Sequence, residues 1–167
     1  MTVFKENNGD TDRLDYRILR DSVVSLYWRN KFLTSDLEWF EKEHYEIIRF
    51  DCRFWDNENE MHKQLKENLY FPEYYGMNFN ALRDCLSDLV IRKGGLVLVF
   101  DHLDNIKSDL IHAILDVFVE CSRQKMLFGY RLIVLAQVDN PNIEIAPFGA
   151  YKAIWNGAEW FNSSREE

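Results

Sequence analysis

The run Leu96-Val97-Leu98-Val99-Phe100 follows Gly94-Gly95 and contains no polar residue. Such a run is typical of a strand that is buried on both faces, as strands of parallel sheets are. The patterns at residues 45–52 and 131–138 predict two further strands, and helical patterns separate the three. Strands that alternate with helices indicate an α/β fold with a parallel sheet of about three strands flanked by helices.

Two helices are predicted between the first two of these strands. Asn57 or Asn59 can cap the first helix. Its apolar residues recur every four positions: Met61, Leu65 and Leu69. Pro72 and Gly76 punctuate a loop at 71–77, and Asn78 is placed to cap the second helix, which runs to about residue 89. This helix buries Phe79, Leu82, Leu86 and Leu89, and its period of 3.6 residues turns outward Asn80, Arg83, Asp84 and Ser87.

Another helix is predicted between the apolar run and the last strand. Ser108 caps it, and it reaches about residue 125. Its buried stripe comprises Ile111, Ile114, Leu115 and Phe118, which leaves on the opposite side Ala113, Val117, Glu120 and Gln124. Val117 is an apolar residue that this core stripe does not use. Apolar residues beside carboxylates favour a protein interface on that side.

The two ends of the chain extend this pattern. Residues 22–28 are predicted to form a strand in a hairpin with residues 16–19, followed by a short helix that Thr34 or Ser35 caps. We expect a flexible tail at 1–12, a single domain at 13–140, and an extension at 141–167 that packs on the domain. The extension has no readable secondary structure but is rich in aromatic residues: Phe148, Tyr151, Trp155, Trp160 and Phe161.

Composition excludes several classes of protein. The 167 residues carry a formal net charge of −8, which argues against a nucleic-acid partner and suits a basic protein partner. No apolar run reaches the roughly 18 residues that span a bilayer. The amino terminus also lacks the apolar segment of a secretory signal, so we expect a cytoplasmic protein without membrane contact. The three cysteines are widely spaced, and neither a metal nor a cofactor is expected.

One segment carries a specific resemblance. It reads Phe71-Pro72-Glu73-Tyr74-Tyr75-Gly76-Met77-Asn78-Phe79-Asn80-Ala81-Leu82-Arg83-Asp84-Cys85-Leu86. This segment resembles the signature of the barstar family, which has a Pro-Glu-Tyr-Tyr-Gly loop, an Asn, and a helix with Ala-Leu and Asp-Cys-Leu. The resemblance covers roughly residues 45–137. It implies a barstar-like fold and an inhibitor of a bacterial ribonuclease rather than an enzyme.

The resemblance also implies which residues bind. In the family, the loop and two helices enter the nuclease active site, where a carboxylate takes the place of the substrate phosphate. Tyr74 matches the inserted aromatic residue, Asp84 the central carboxylate, Ser87 a hydroxyl contact, and Glu120 a second carboxylate beside the apolar Val117. The full predicted set is Tyr74, Tyr75, Gly76, Asn78, Asn80, Arg83, Asp84, Ser87, Val117, Glu120 and Gln124. The expected partner is a basic bacterial ribonuclease or a related toxin, bound 1:1.

Three positions depart from the family pattern. Asn80 stands where the family has an Asp, Arg83 where it has a Trp, and Gln124 where it has a Glu. A guanidinium does not suit a cationic active site, because like charges pressed together are unfavourable. Arg83 can either fold back on a carboxylate of its own chain or meet an acidic group of the toxin. We favour the second arrangement, because Asn80 and Gln124 have lost charge on the same surface.

Other interpretations stay open at this point. Tyr75 and Gly76 also fit a packing role, with Gly76 in a turn of positive φ. The sequence Asp101-His102-Leu103-Asp104 follows a buried strand, where a metal-dependent hydrolase could place its ligands. The four histidines lack ligand spacing, which disfavours that function. An immunity protein against a different basic toxin is the third interpretation.

Overall fold

Helices and strands alternate along the chain. The computed structural model describes Phe4, residues 9–92 and residues 94–160, without the side chain of Trp160. The elements are α1 (Leu14–Asp21), β1 (Val24–Tyr27), α2 (Asn30–Lys42), β2 (Glu46–Asp51), α3 (Glu58–Asn68), α4 (Phe79–Asp88), β3 (Leu96–Asp101), α5 (Ser108–Leu127), β4 (Leu132–Gln137), β5 (Ile154–Trp155) and α6 (Gly157–Trp160).

One parallel sheet organises these elements. Its strand order is β2-β3-β4-β1-β5, and Leu98 of β3 lies in register with Ile48 of β2 and Val134 of β4. Every residue of β4 is buried, and so are the first five of β3. The predicted fold class is confirmed. The sheet has five strands rather than three, because β1 and β5, which lie in the two end segments, join the same sheet.

The amino-terminal region differs from the predicted hairpin. Residues 16–19 lie within α1, so the prediction of a strand there is wrong. Asp15 and Leu19, spaced four apart as on one helix face, are both buried. The buried Asp15 carboxylate accepts hydrogen bonds from the Tyr45 hydroxyl and from the Arg13 guanidinium. These bonds satisfy a charge that would otherwise make the helical position unfavourable.

The predicted start of α2 is also wrong. The helix begins at Asn30, so Thr34 and Ser35 lie inside it and cap nothing. The acceptor at its amino end comes instead from the far end of the chain. The buried Glu159 carboxylate accepts from the backbone N–H of Trp28 at 3.0 Å and of Arg29 at 2.6 Å. A carboxylate at a helix amino terminus satisfies free N–H groups and complements the helix dipole.

The carboxyl-terminal segment contacts the sheet. Phe148 is buried, and the Arg123 guanidinium lies 3.7 Å from the centre of the half-buried Tyr151 ring. Trp155 pairs with Leu26 of β1. Three parts of the chain lie outside the described residues: the side chain of Trp160, all residues from Phe161 onward, and most of the expected tail at 1–12. The division into tail, domain and extension stays a prediction.

Helices α3 and α4 begin where their predicted caps place them. Helix α5 begins at Ser108 itself and Lys107 occupies its cap position, so the prediction that Ser108 caps this helix is wrong. Asn57 accepts from the Glu60 N–H, and Asn78 accepts from the Ala81 N–H, each at 2.9 Å. Gly95 adopts a φ of +123°, and a Cβ there would lie 2.3 Å from the Tyr45 ring, so this close approach requires glycine. Among the described residues, no helix is long and apolar enough to cross a membrane.

Candidate functional site

The loop at 71–77 turns its two adjacent tyrosines in opposite directions. Tyr75 is buried, and its hydroxyl lies 2.6 Å from Nδ1 of the buried His62. Tyr74 is 82% exposed. The loop therefore buries one ring in the core and exposes the other to solvent, where it can act as a rigid anchor for a partner. The packing role considered for Tyr75 agrees with this burial.

The turn after the tyrosines is not the one expected. Gly76 is absent from the positions with positive φ, and the left-handed residue is Met77, with a φ of 54°. The prediction of positive φ at Gly76 is wrong. Asn78 stabilises the turn, because its side-chain amide donates to the Gly76 carbonyl at 3.0 Å while its oxygen caps α4.

Helix α4 presents its polar residues as its period predicts. Asn80, Asp84 and Ser87 are exposed, while Leu82 and Leu86 are fully buried. Within the described part of the chain, no group forms a hydrogen bond or ion pair with the Asp84 carboxylate. The Ser87 hydroxyl donates to the Arg83 carbonyl at 2.9 Å, so its proton is already used. Asp84 is therefore a fully hydrated carboxylate that a cationic partner can reach.

Arg83 forms an ion pair within its own chain. Its Nε donates to Glu120 Oε2 of α5 at 2.6 Å, and its other end lies 3.4 Å from Asn80 Oδ1. This hydrogen bond to Glu120 raises the pKa of Arg83 above its ordinary value. Of the two arrangements considered for Arg83, the structure shows the first. The pair also neutralises Glu120, the second carboxylate expected to bind.

Helix α5 packs against α4 as well as against the sheet. Lys125 Nζ donates to the carbonyls of Ser87 at 2.6 Å and Leu89 at 2.7 Å, which joins α5 to the carboxyl end of α4. Glu120 and Gln124 are exposed, as predicted. Val117 is only 2% exposed, so the prediction that it lies on the open side of α5 is wrong. A helix with two packing partners buries a wider arc than one apolar stripe indicates.

These elements form one continuous surface, here called the loop–helix face, made of loop 71–77 and the exposed sides of α4 and α5. It brings together nine of the eleven residues predicted to bind: Tyr74, Gly76, Asn78, Asn80, Arg83, Asp84, Ser87, Glu120 and Gln124. Tyr75 and Val117 lie beneath it. The contact between Tyr75 and His62 was not predicted, because a single histidine does not indicate a buried partner 13 positions away.

Residues 101–104, where a metal-dependent hydrolase could place its ligands, have a structural role in this fold. His102 Nδ1 lies 2.8 Å from Asp139 Oδ2, and Asp104 accepts from the backbone N–H of Asp139 and Asn140. Asp101 pairs with Arg49 of the neighbouring strand at 2.7 Å. These contacts tie together the carboxyl ends of β2, β3 and β4. Across the residues that the structure covers, no group of His, Cys, Asp and Glu is arranged to hold a metal ion.

Three comparisons with known proteins bear on this surface. A protein of Bacillus subtilis (strain 168) named "Putative ribonuclease inhibitor YrdF" is 35% identical over 88 residues, which cover 52% of this chain and 96% of that protein. A chain in "Structure of Drosophila ORC bound to AT-rich DNA and Cdc6" is similar at a TM-score of 0.49 and 15% identity. The similarity covers 75% of this chain but only 43% of that chain, and it supports no functional conclusion.

The family comparison is the most informative. The family model described as Barstar (barnase inhibitor) matches residues 45–136, more than half of the chain and the whole loop–helix face. Its description and the name of the Bacillus relative both denote inhibitors, which confirms the expectation of an inhibitor rather than an enzyme. On this match the chain belongs to the barstar family.

Proposed function

We propose that this protein inhibits a small basic ribonuclease of bacteria by covering the enzyme's active site with the loop–helix face. The observation that carries the proposal is the exposed, unpaired carboxylate of Asp84 at the centre of a surface that the family match includes. Nuclease active sites hold cationic groups that bind phosphate. A carboxylate already free of partners can replace that phosphate without first breaking an internal ion pair.

Tyr74 supplies the second element of this proposal. Its exposed ring lies in the loop that precedes α4, and a rigid aromatic side chain loses little conformational freedom on binding. Gly76, Asn78, Asn80, Ser87 and Gln124 surround these two residues as contact surface. Tyr75 and Val117 act from below, since their buried side chains hold the loop and α5 in place.

Charge supports the choice of a basic partner. The chain carries a net charge of −8, and opposite net charges accelerate the encounter of two proteins at low ionic strength. Tight inhibitors of an enzyme expressed in the same cell must bind before the enzyme acts, so a fast encounter fits a role in immunity to a toxin.

The test compares Asp84→Ala with Glu38→Ala, which removes an exposed carboxylate from α2. Truncating a buried interfacial carboxylate typically costs about 2–5 kcal/mol, or roughly 30- to several thousand-fold in affinity. We expect this loss for Asp84→Ala against a barnase-type ribonuclease, mainly as faster dissociation in a surface-binding assay. Glu38→Ala should bind as the unmodified protein does. Equal affinity of Asp84→Ala and the unmodified protein would refute this binding face.

The ion pair of Arg83 and Glu120 favours a second candidate, a toxin whose active site is less uniformly cationic. It pairs Glu120, one of the two carboxylates expected to bind, with a cation of the same face, so less unpaired negative charge is presented to the enzyme. Co-expression with candidate toxins, scored by growth and by RNA integrity, separates the two. Rescue from a toxin that leaves RNA intact would support this second candidate.

A further inference from the structure

A cavity of about 580 Å³ lies outside the part of the chain that matches the barstar family. Small-molecule sites typically measure about 300–1,000 Å³. One wall is a single face of α1, with positions spaced as i, i+3, i+4 and i+7: Leu14, Arg17, Ile18 and Asp21. Strand β5 and the turn that follows it form the opposite wall with Ile154, Trp155, Asn156, Gly157 and Ala158.

Asp36 of α2 projects a partly satisfied carboxylate into this cavity. Its Oδ2 accepts from the Tyr27 hydroxyl at 2.6 Å and from the Asn156 amide at 2.7 Å. Its Oδ1 accepts no hydrogen bond from any described residue. Burial raises the pKa of Asp36 above its ordinary value, because the charged form has lost part of its hydration. A cationic group placed against Oδ1 would stabilise that charge.

Arg17 brings the opposite charge to the same cavity. Its guanidinium is exposed and, among the described residues, forms no hydrogen bond or ion pair. Its charge acts on Asp36 and partly offsets the effect of burial on that carboxyl's pKa, yet the two groups do not meet as an ion pair. The carboxylate of the nearby Asp21 already forms an ion pair with Arg20, with Arg20 Nε 2.6 Å from Asp21 Oδ1. Among the described residues that line the cavity, the Arg17 guanidinium and Asp36 Oδ1 thus carry opposite charges that are not paired with each other, and the apolar side chains of Leu14, Ile18 and Trp155 lie beside them.

We propose that this cavity binds a small zwitterion of the α-amino acid class. The ammonium group of the ligand would meet Asp36 Oδ1, its carboxylate would meet Arg17, and its apolar side chain would lie against Leu14, Ile18 and Trp155. A ligand with both charges uses both unpaired groups, whereas an amine alone would leave Arg17 opposing it. This site uses other elements than the loop–helix face and does not depend on ribonuclease inhibition.

Isothermal titration of the full chain tests the class of ligand with three probes: L-phenylalanine, 2-phenylethylamine and 3-phenylpropanoate. We expect saturable 1:1 binding of L-phenylalanine. Each of the other probes lacks one charged contact and should bind at least about tenfold more weakly. Absence of saturable L-phenylalanine binding would overturn the proposal. Equal binding of 2-phenylethylamine would also overturn it and indicate a site for organic cations.

Substitutions locate the site. Arg17→Gln and Asp36→Asn should each weaken L-phenylalanine binding about tenfold, while Lys42→Gln, which removes an exposed cation of α2 outside the cavity, should leave it unchanged. Arg17 is exposed, so Arg17→Gln keeps the fold and decides the matter even if Asp36→Asn disturbs the contacts of Tyr27. Binding by Arg17→Gln equal to that of the unmodified protein would refute the proposal.

Discussion

At the scale of single residues, Arg83 and Glu120 show how one departure from a family pattern changes the charge of a surface. The pair joins α4 to α5 at 2.6 Å, with both side chains about a third or more exposed. An exposed pair of this kind contributes about 0–1 kcal/mol to stability. We expect its effect on binding to be larger, because the pair withdraws both charges from a partner.

Arg83→Trp should release Glu120, the second carboxylate expected to bind, from its ion pair within the chain. We expect tighter inhibition of a barnase-type ribonuclease, with the free energy of unfolding changed by no more than about 1 kcal/mol. Inhibition constants measured beside Arg53→Trp, which removes the exposed pair of Arg53 and Asp51, give the matched control. Equal inhibition constants for Arg83→Trp and the unmodified protein would show that Arg83 does not weaken binding to such enzymes.

Residues that obey local rules were predictable from the sequence. Asn78 was identified as a cap because the acceptor and the Ala81 N–H lie three positions apart on one turn. The burial of Val117 was not predictable, since it depends on how α4 packs against α5. The sequence narrowed Arg83 to two arrangements, and the one that we favoured, an acidic group of the toxin, is not the one that the structure shows. The actual partner, Glu120, lies 37 positions along the chain, so no local pattern indicates it.

At the scale of elements, the cap of α4 connects the loop to the helix that presents Asp84. Asn78→Ala should lower the free energy of unfolding by about 1 kcal/mol, because the Ala81 N–H loses its acceptor. Asn80→Ala, two residues away on the exposed side, should change it by less than about 0.5 kcal/mol. Urea unfolding of both variants measures the difference. Equal stabilities would mean that the cap does not stabilise α4.

Elements in the middle of the chain, and the strand β1 near its amino end, followed from local patterns, whereas α1, the start of α2 and β5 did not. The central strands are apolar throughout, and the spacing of their connections indicates helices. The backbone just before α2 donates to Glu159, 130 residues from Arg29, and no local pattern reveals so distant an acceptor. Likewise, the short strand β5 is defined by its pairing with β1, so the secondary structure of the extension could not be predicted from its own sequence.

At the scale of the whole molecule, the buried His62 links stability to pH. Burial lowers the pKa of His62 in the folded protein below its ordinary value of about 6.5. Below that pH the unfolded chain binds a proton that the folded protein resists. This contribution to stability is therefore complete above about pH 6.5 and is lost progressively as the pH falls below it.

His62→Gln should flatten this part of the pH dependence. Free energies of unfolding measured by urea between about pH 5 and pH 7 should fall less steeply for His62→Gln than for the unmodified protein. His44→Gln, at an exposed position, is the control and should retain the full slope. Parallel slopes for His62→Gln and the unmodified protein would rule out His62 as the group responsible.

The central claim is that the loop–helix face occupies the active site of a ribonuclease. Competition between this protein and a 3′-mononucleotide for the same barnase-type enzyme tests it most directly, because a mononucleotide fills only the catalytic cleft. We expect the apparent dissociation constant of the protein complex to rise in proportion to nucleotide concentration once the cleft is saturated. A ternary complex of enzyme, nucleotide and protein, formed with unchanged affinity, would contradict it.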